Sequence, residues 1–518
     1  MTVTRRQALG VLGLGTATVA SGALWRAASQ PLGSTGTLLP SAVPLPRRFQ
    51  VPLPIPPTAT ATRSPRGTDR VTITAREADV EILPGRRTAV WGYDGAFPGP
   101  TVRGRSGHPL ELRLRNELPV PTVLHLHGGH TPPESDGYPT DFVLPLGVAE
   151  PPAMGPRGQS TTLVRTYRYP LEQPAATLWY HDHTMDFTGP NVYRGLAGLF
   201  VVDDERDEAL GLPSGDRDLP LVIADRSFGP DAELLYPALF ADRSRPGVER
   251  RYMGGVLGDV VLVNGAPWPV HDVAAARYRL RLLNASSARR YELVLDGARS
   301  EQPFTQIGTD QGLLDRPRPR SSVTLAQGER VEVVVDFGGL PVGTRVTLRD
   351  RLDPDVVGGI MQFVVARAVP SDDTRVPERL ADLEQIEPGE AVSTRSFHFS
   401  LLAGDPHASA GYSGHNDLAH QWTVNGVTFG SGVDVARPTL GTVERWRFTS
   451  DVHHPIHVHL LRMQVVGGDG GWKDTVDLRP GGAVEVLTRI EGYRGRYVMH
   501  CHNLEHEDMA MMANFTIV

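Results

Sequence analysis

Apolar and polar residues alternate with a period of two at several places along the chain. Residues 110–115 (LELRLR) show this most clearly, and residues 330–335 and 484–487 have related patterns. A period of two places successive side chains on opposite faces of a strand. Long helical periodicity is scarce, and residues 377–386 are the best candidate for a short helix. The pattern predicts an all-β protein built from sandwiches or barrels.

A weak internal repeat divides the chain at a spacing of about 165 residues. Residues 112–116 (LRLRN) are echoed at 278–284 (YRLRLLN) and at 443–448 (VERWRF). Histidine-rich motifs follow the first and third copies but not the second, so we expect the chemistry in the outer two domains and a spacer between them. The three predicted domains cover residues 67–205, 206–370 and 371–518.

Composition and charge narrow the functional classes. The chain has 518 residues, of which 40% are apolar and 21% charged, so it can form proper cores. A net charge of −7 argues against nucleic acid as a partner. The single cysteine, Cys501, excludes an intrachain disulfide, a Cys-rich zinc module and an all-cysteine iron–sulfur site.

Residues 1–30 resemble an export signal. Arg5 and Arg6 precede a weakly apolar stretch at residues 10–24, as in twin-arginine signals. This stretch is too short and too rich in glycine for a stable membrane span, and no later segment looks like one. We therefore expect a periplasmic or extracellular protein without a membrane span in its mature form. Residues 31–66, rich in Pro, Ser and Thr, are expected to form an extended linker.

Ten of the 18 histidines are concentrated in four short motifs. In a strand, residues i and i+2 point to the same face about 6.6 Å apart, so an H-x-H pair presents two imidazoles to one metal ion or to two adjacent ions. Four such clusters predict a multi-metal site. The motifs are HLH at 125–127, HDH at 181–183, HPIHVH at 454–459 and HCHNLEH at 500–506.

The last cluster points to copper. His454, Cys501 and His506 offer two imidazoles and one thiolate, and Met511 lies ten residues beyond the cysteine. Two histidines, a cysteine and a weak thioether are the ligands of a blue-copper centre. Zinc accepts two histidines and a cysteine, but methionine would be an odd fourth ligand for it. Non-haem iron prefers two histidines and a carboxylate, which leaves eight histidines unexplained.

Together these motifs resemble the multicopper oxidases, most closely the branch with bacterial and spore-coat laccases, bilirubin oxidase and phenoxazinone synthase. The resemblance covers about residues 45–518 and includes the flanking segments HLHGG, DGYP, LWYHDH and HCHNLEHE. It implies three cupredoxin-like (Greek-key) domains. It also implies four copper ions per chain, with a trinuclear cluster between the first and third domains.

The resemblance also implies a role for each ligand. The type 1 copper would be held by His454, Cys501, His506 and, axially, Met511, with Met509 and Met512 as competing candidates. The type 2 copper would be held by His125 and His457. The type 3 coppers would be held by His127, His181 and His502 on one ion, and by His183, His459 and His500 on the other. His453 is expected to be only a neighbour, and the remaining histidines are expected to be ordinary polar residues: His108, His130, His271, His398, His407, His415 and His420.

The implied function is that of a laccase-like oxidase. It would couple one-electron oxidation of phenols, aromatic amines or tetrapyrroles to the four-electron reduction of O2 to water. Cys501 is bonded directly to His500 and His502, which offers electrons two short routes. Reduction of O2 consumes protons, and Glu507 and Asp136 match positions that help to deliver them in the resembling enzymes. Asp182 is expected to orient a ligand or cap the backbone, with its side chain on the opposite strand face.

Three other functions fit the sequence less well. A Cu(I) or metal-ion oxidase in copper tolerance is the main alternative, but the 10 methionines form no Met-rich run. A copper-free scaffold would require lost ligands, and none is missing. A two-domain nitrite reductase is disfavoured by the length and by residues 500–502. Loops near the type 1 histidines would select the reducing substrate; residues 405–420 are expected either to form part of that rim or to be an ordinary flexible loop.

Overall fold

The computed structural model describes residues 36–63, 67–149, 158–240, 246–403 and 420–518. The predicted export signal and nearly all of the loop at 405–420 lie outside the described residues. In the described part, strands dominate and confirm the all-β prediction. The helices there are α1 (Thr188–Arg194), α2 (Glu205–Ala209) and α3 (Leu504–Asp508), with short 3-10 turns at Pro133–Ser135, Gly215–Arg217, Arg250–Tyr252, Pro388–Glu390 and Phe429–Ser431.

The strands group into three successive pairs of sheets, which we call the first, second and third domains. The first domain consists of two sheets. One has the strand order β10-β6-β3-β2, and β4 also pairs with β3; the other has the order β5-β12-β11-β7. Ile73 and Leu112 from one sheet and Leu126 and Phe200 from the other share one buried core. The strands up to this point are β1 (Thr37–Leu39), β2 (Thr62–Arg63), β3 (Asp69–Val80), β4 (Thr88–Tyr93), β5 (Val102–Arg105), β6 (Leu110–Asn116), β7 (Leu124–His127), β8 (Val143–Leu144), β9 (Thr161–Thr162), β10 (Val164–Tyr169), β11 (Ala176–Asp182) and β12 (Ala197–Asp203).

The second domain has sheets of order β16-β15-β13-β18-β23-β20-β21 and β17-β25-β24-β19-β22. Leu280 and Val333 from the first of these sheets and Leu348 and Phe363 from the other lie in one core. The strands are β13 (Asp218–Arg226), β14 (Val256–Gly258), β15 (Val260–Val263), β16 (Ala266–Pro267), β17 (Val270–Ala274), β18 (Arg277–Asn284), β19 (Tyr291–Asp296), β20 (Phe304–Thr309), β21 (Gly312–Arg320), β22 (Val323–Leu325), β23 (Arg330–Asp336), β24 (Arg345–Asp350) and β25 (Gly359–Arg367).

The third domain has sheets of order β27-β26-β29-β34-β31-β32 and β28-β36-β35-β30-β33. Trp446 and Phe448 from one sheet and Ile456 and Phe515 from the other form its core. The strands are β26 (Ser393–Ala403), β27 (His420–Val424), β28 (Asp434–Ala436), β29 (Val443–Ser450), β30 (His454–Val458), β31 (Met463–Val465), β32 (Trp472–Lys473), β33 (Thr475–Leu478), β34 (Ala483–Arg489), β35 (Gly495–Cys501) and β36 (Met512–Ile517).

The sequence repeat marks the same strand in each domain. β6, β18 and β29 each lie between one parallel partner (β3, β13 or β26) and one antiparallel partner (β10, β23 or β34). Two of the three strands end in an asparagine whose side-chain oxygen accepts a hydrogen bond from the backbone N–H two residues later, at Asn116 and Asn284. The repeat is therefore structural, and the exact domain limits stay a prediction.

The segment predicted as a linker is extended, but much of it is docked on the second domain. β1 pairs in parallel with β14, and the Leu53 N–H donates to the carbonyl of Val270. Val43 and Leu53 are buried in the second core. Apolar residues between the prolines thus anchor this segment, because their burial stabilises the docked conformation.

The prediction of a short helix at residues 377–386 is wrong, because this segment is not helical. The Leu380 N–H donates to the carbonyl of Asp315, and the Ile386 N–H donates to the side chain of Gln464. Leu380 and Ile386 are buried in two separate apolar clusters. A ten-residue helix is only about 15 Å long, so an extended segment reaches both clusters more readily.

A buried ion network joins the first and second domains. Glu332 accepts hydrogen bonds from Arg281 (3.1 Å) and from Thr177 of β11 (2.6 Å), and it also pairs with Arg279. The Glu332 side chain is 1% exposed and the arginines at most 4%. Burial alone would raise the pKa of Glu332, but Arg279 and Arg281 outweigh it and lower the pKa to about 2.

We expect Glu332→Gln to lower the free energy of unfolding by about 3 kcal/mol, because two buried guanidinium groups lose part of their counter-charge. In the wild type, the contribution of the Glu332 charge to stability is complete above about pH 4.3, the pKa of glutamate in an unfolded chain. This contribution is lost as the pH falls towards 2. Chemical unfolding at pH 5.5 and pH 3 would measure this difference. Glu205→Gln, at a side chain that is 93% exposed, is the control. Equal loss of stability with pH in Glu332→Gln and the wild type would contradict the prediction.

Candidate metal centre

The first four motif histidines lie on one face of two neighbouring strands and the turn that follows. β7 and β11 are antiparallel, with His125 opposite His181 and His127 opposite Trp179. The intervening Leu124 and Leu126 point into the first core, as alternation requires. The imidazoles therefore face outward from the first domain.

The third domain presents its motifs on the adjacent strands β30 and β35, with His457 opposite His500 and Ile456 opposite Cys501. Alternation divides these motifs between two faces. Cys501 lies on the core face with Ile456, whereas His457 and His500 lie on the face that meets the first domain. One short strand thus serves two separate groups of ligands.

Cys501, His454 and His506 form the first group. The Cys501 Sγ lies 3.3 Å from His454 Nδ1 and 3.7 Å from His506 Nδ1, and these two nitrogens are 3.1 Å apart. On the outer side of the group, His454 Nε2 donates to Asp451 (3.1 Å), whose side chain is 33% exposed. The His506 ring stacks on Trp422 at a centroid distance of 3.8 Å.

The other eight histidines form a second group at the interface of the first and third domains. His125 Nε2 is 3.3 Å from His457 Nε2. His500 Nε2 is 3.3 Å from both His183 Nε2 and His459 Nε2. The centroid of His502 lies 5.0 Å from that of His127 and 5.4 Å from that of His181. The structure thus brings His125 to His457, and His183 to His459 and His500, as the resemblance implies. The donor atoms of His127 and His181 group with those of His125, and His502 lies somewhat apart from them.

These donors fit copper. None of the ten histidines is more than 1% exposed, and Cys501 is fully buried. Buried nitrogens without a hydrogen-bond partner in the described part include His127 Nδ1, His181 Nε2 and both ring nitrogens of His502. Neutral imidazole is the form that binds a metal. Burial lowers the pKa of His125, His127, His181, His459, His502 and His506 well below its usual value, and lowers that of His183 to about 4.

Cys501 and Met511 lie next to each other in the third core. Burial raises the pKa of the Cys501 thiol, so a bound cation is needed to replace its proton. The Cys501 N–H donates to the carbonyl of Met511, and both residues are fully buried in one cluster. Met511 as the axial ligand stays a prediction, as does its preference over Met509 and Met512.

Glu507 and Asp136 flank the second group of histidines. Glu507 lies 3.1 Å from His500 Nδ1 and 3.4 Å from His183 Nδ1. The Asp136 carboxylate accepts from His459 Nδ1 (2.7 Å), and its carbonyl from His125 Nδ1 (2.6 Å). Burial, with a smaller effect of Asp141, raises the pKa of Asp136 well above its usual value. Burial would also raise the pKa of Glu507, but His500 and His183 outweigh the effect of burial and lower this pKa.

A third carboxylate, Asp474, has the same relation to this group, and the sequence did not indicate it. Its Oδ1 lies 3.0 Å from His127 Nε2 and 3.6 Å from His457 Nδ1. Burial would raise the pKa of Asp474, but Arg330 and His127 outweigh it and hold the pKa well below its usual range. Asp474 stands alone before β33 with no motif around it, so only the fold identifies it.

Two residues beside the ligands have other partners. Asp182 accepts from the Val123 and Thr184 N–H groups and from Asn191, so it caps local backbone. His453 Nε2 bonds to Asp477 at 2.6 Å. Both contacts agree with the predictions that Asp182 caps backbone and that His453 is a neighbour.

Comparison with known proteins identifies the family. Family models described as multicopper oxidase match residues 74–207 and 405–518. A laccase from Bacillus subtilis (strain 168) is 31% identical over 527 residues, with 90% of this chain and 97% of the relative covered. The chain belongs to the multicopper oxidase family. A bilirubin oxidase from Albifimbria verrucaria is 33% identical over 512 residues, with 90% and 81% covered.

Solved structures agree with this membership. A laccase from Pediococcus acidilactici is 28% identical, with a TM-score of 0.76 over 93% of this chain and 96% of that one. This multicopper oxidase is therefore an all-β protein of three cupredoxin-like domains and a copper-dependent, laccase-like oxidoreductase that uses O2. Among the described residues, no helix combines the length and apolarity needed to cross a membrane.

We expect Cys501→Ser to remove the type 1 copper and its blue absorption, because a hydroxyl is a poor substitute for a soft thiolate. The volume change is small, so the fold should persist. The readouts are copper content, visible absorption and phenol oxidation, with the electron paramagnetic resonance signal of type 2 copper as the internal control. A blue variant, or one that still oxidises phenols, would show that electrons do not pass through Cys501.

Proposed function

We propose that the twelve predicted ligands hold four coppers in the arrangement that the sequence implies. The observation that carries this proposal is the division of residues 500–502, in which Cys501 faces one group of donors and its two neighbours face the other. When bound, copper would supply one-electron acceptance at the type 1 site and reduction of O2 to water at the trinuclear site. The protein then supplies the route between them, because Cys501 is bonded to both His500 and His502.

We also propose that electrons reach this route beside His454. Asp451 is the partly exposed carboxylate that accepts from His454 Nε2, and the Leu401 and Val452 N–H groups hold it in place. The opposite side of His454 faces Cys501. A donor seated at Asp451 would therefore be separated from the sulfur by a single imidazole.

The reducing substrates proposed are phenols, aromatic amines and tetrapyrroles. Support comes from relatives named laccase and bilirubin oxidase, each at least 31% identical over most of this chain. We further propose domain limits at residues 67–205, 206–370 and 371–518, with the type 1 site in the last. Export by the twin-arginine-like segment to the periplasm or the exterior is proposed from the sequence pattern.

The deciding experiment is copper loading followed by absorption spectroscopy and oxygen uptake with a donor panel. We expect four coppers per chain, an intense blue band, and turnover of phenols and bilirubin with water as the product. A colourless, zinc-bound protein would overturn the proposal. Turnover with Cu(I) but not with phenols or bilirubin would instead favour a metal-ion oxidase.

We propose that Asp136 and Glu507 deliver protons to the trinuclear site. The raised pKa of Asp136 suits a group that holds a proton and passes it on. Each carboxylate reaches one histidine of the first domain and one of the third. Both are at most 1% exposed, so each lies at the buried interface beside the histidines.

We expect Asp136→Asn and Glu507→Gln each to slow oxygen uptake by about 100-fold, the usual scale of general acid–base catalysis. Anaerobic bleaching of the blue band by a phenol should keep its wild-type rate, because electron access lies on the other face of β35. Stopped-flow absorption and an oxygen electrode measure the two rates. Glu505→Gln is the matched control, since Glu505 is equally buried but binds Tyr236 and the Val256 N–H. A slowed bleaching rate in either variant would assign these carboxylates to another role.

A further inference from the structure

The second domain, predicted to be a spacer, reaches into the trinuclear site. Asp474 carries the contact: its carboxylate accepts from His127 Nε2 at 3.0 Å, and its carbonyl accepts from His457 Nδ1 at 3.0 Å. These bonds leave His127 Nδ1 and His457 Nε2 free to face the site. His127 Nδ1 has no hydrogen-bond partner in the described structure, and His457 Nε2 lies beside His125 Nε2.

Residues of the second domain hold Asp474 in place. Arg330, at the start of β23, donates to Asp474 through two nitrogens at 2.8 and 2.5 Å. Gln311, in the turn between β20 and β21, donates to Asp474 Oδ2 at 2.7 Å. Both carboxylate oxygens are therefore bonded to a different domain from the one that supplies Asp474.

The Arg330 guanidinium is itself fixed. Its remaining N–H groups donate to the carbonyls of Thr177 (3.0 Å), Gly328 (3.0 Å) and Asp310 (2.9 Å). All five N–H donors of the guanidinium thus have an acceptor. Arg330 is fully buried, so no solvent competes for these bonds.

The turn before Arg330 touches the cluster as well. A Cβ on Gly328 would lie 2.9 Å from His502 and 3.0 Å from His127, and its φ is +81°. Only a glycine lets the backbone approach these two rings in that conformation. The second domain therefore meets His127 both by packing and through Asp474.

Three carboxylates divide six of the eight interface histidines into pairs. Asp136 reaches His125 and His459, Glu507 reaches His183 and His500, and Asp474 reaches His127 and His457. Each pair has one histidine from the first domain and one from the third. Asp136 and Glu507 match expected proton-delivery positions, whereas both oxygens of the Asp474 carboxylate are bonded to the fixed guanidinium of Arg330.

We infer that Asp474 is a positioning residue, and that Arg330 and Gln311 of the second domain use it to set the tautomer and orientation of His127 and His457. This inference rests on the proposed ligand assignment. A carboxylate or carbonyl behind a ligating histidine fixes its ring and raises its basicity. The second domain would thereby control how firmly the trinuclear copper is held, without affecting the type 1 site.

The test compares Asp474→Asn, Arg330→Lys and Gln311→Met in copper-loaded full-length protein. We expect trinuclear copper to be lost to a chelator about 10- to 100-fold faster in Asp474→Asn, the usual effect of losing such a partner. Arg330→Lys should have an intermediate effect and Gln311→Met the smallest, because it removes a single bond to Asp474. The type 2 resonance signal and copper count should change, while the blue absorption keeps its wild-type intensity.

Arg289→Lys is the matched control, because Arg289 is another buried, ion-paired arginine of the second domain, bonded to Asp225 and Asp353. If copper is lost to the chelator as fast in Arg289→Lys as in Arg330→Lys, the inference is overturned, because any disturbance of the second domain would then loosen the copper. The inference is also overturned if Asp474→Asn and Gln311→Met both retain copper as firmly as the wild type does. If Arg330→Lys does not fold, these other two variants decide. If the wild type itself binds no trinuclear copper, the proposed function fails instead.

Discussion

The site depends on the alternation of side chains along one strand. Because successive residues of β35 point to opposite faces, Cys501 lies in the third core while His500 and His502 lie at the interface with the first domain. A shift of one residue in register would exchange these faces and separate every donor from its partners. The pairing of Ile456 with Cys501 and of His457 with His500 keeps β30 in the matching register. The two proposed metal sites therefore share a single backbone segment, which gives a short covalent connection between them.

This arrangement imposes an electrostatic requirement on the interface. Ten imidazoles and one thiol are almost completely removed from water, and burial disfavours both imidazolium and thiolate. Bound copper would satisfy the thiolate and the ring nitrogens that face inward. The outward-facing ring nitrogens then need acceptors. Asp136 and Asp474 supply them, through a carboxylate or a carbonyl oxygen, for four histidines: His125, His459, His127 and His457. The carbonyl of Cys501 accepts from His500 Nδ1 at 3.1 Å, and Glu507 lies 3.4 Å from His183 Nδ1. For His181, the carbonyl of Asp182 accepts from Nδ1 at 2.8 Å. Carboxylates at these places would also offset the positive charge of bound copper.

The sequence indicated the histidines and the cysteine that the fold brings together, because the spacing of an H-x-H pair is a local property of strands. An H-x-H pair is visible in three consecutive residues, and the repeat around Leu112, Tyr278 and Val443 marks the same strand position in each domain. The segment at residues 377–386 was predicted wrongly because its conformation is decided by distant partners, Asp315 and Gln464, and not by its own periodicity. Asp474 and Arg330 were missed for the same reason. They are 144 residues apart, and neither belongs to a motif.

The three domains have unequal but connected roles. The first and third domains supply all the predicted ligands. If only imidazoles and metal ions connected these two domains, the distance between them could vary. Arg330 lies against both domains: it donates to Thr177 of the first and to Asp474 of the third. Glu332, two residues further along β23, bonds to Thr177 as well. Arg330 and Glu332 thus both hold β11, the strand that carries His181. Arg330 also connects β11 to Asp474, which orients His127 and His457. The geometry of the copper site is therefore a property of all three domains, including the one that provides no ligand.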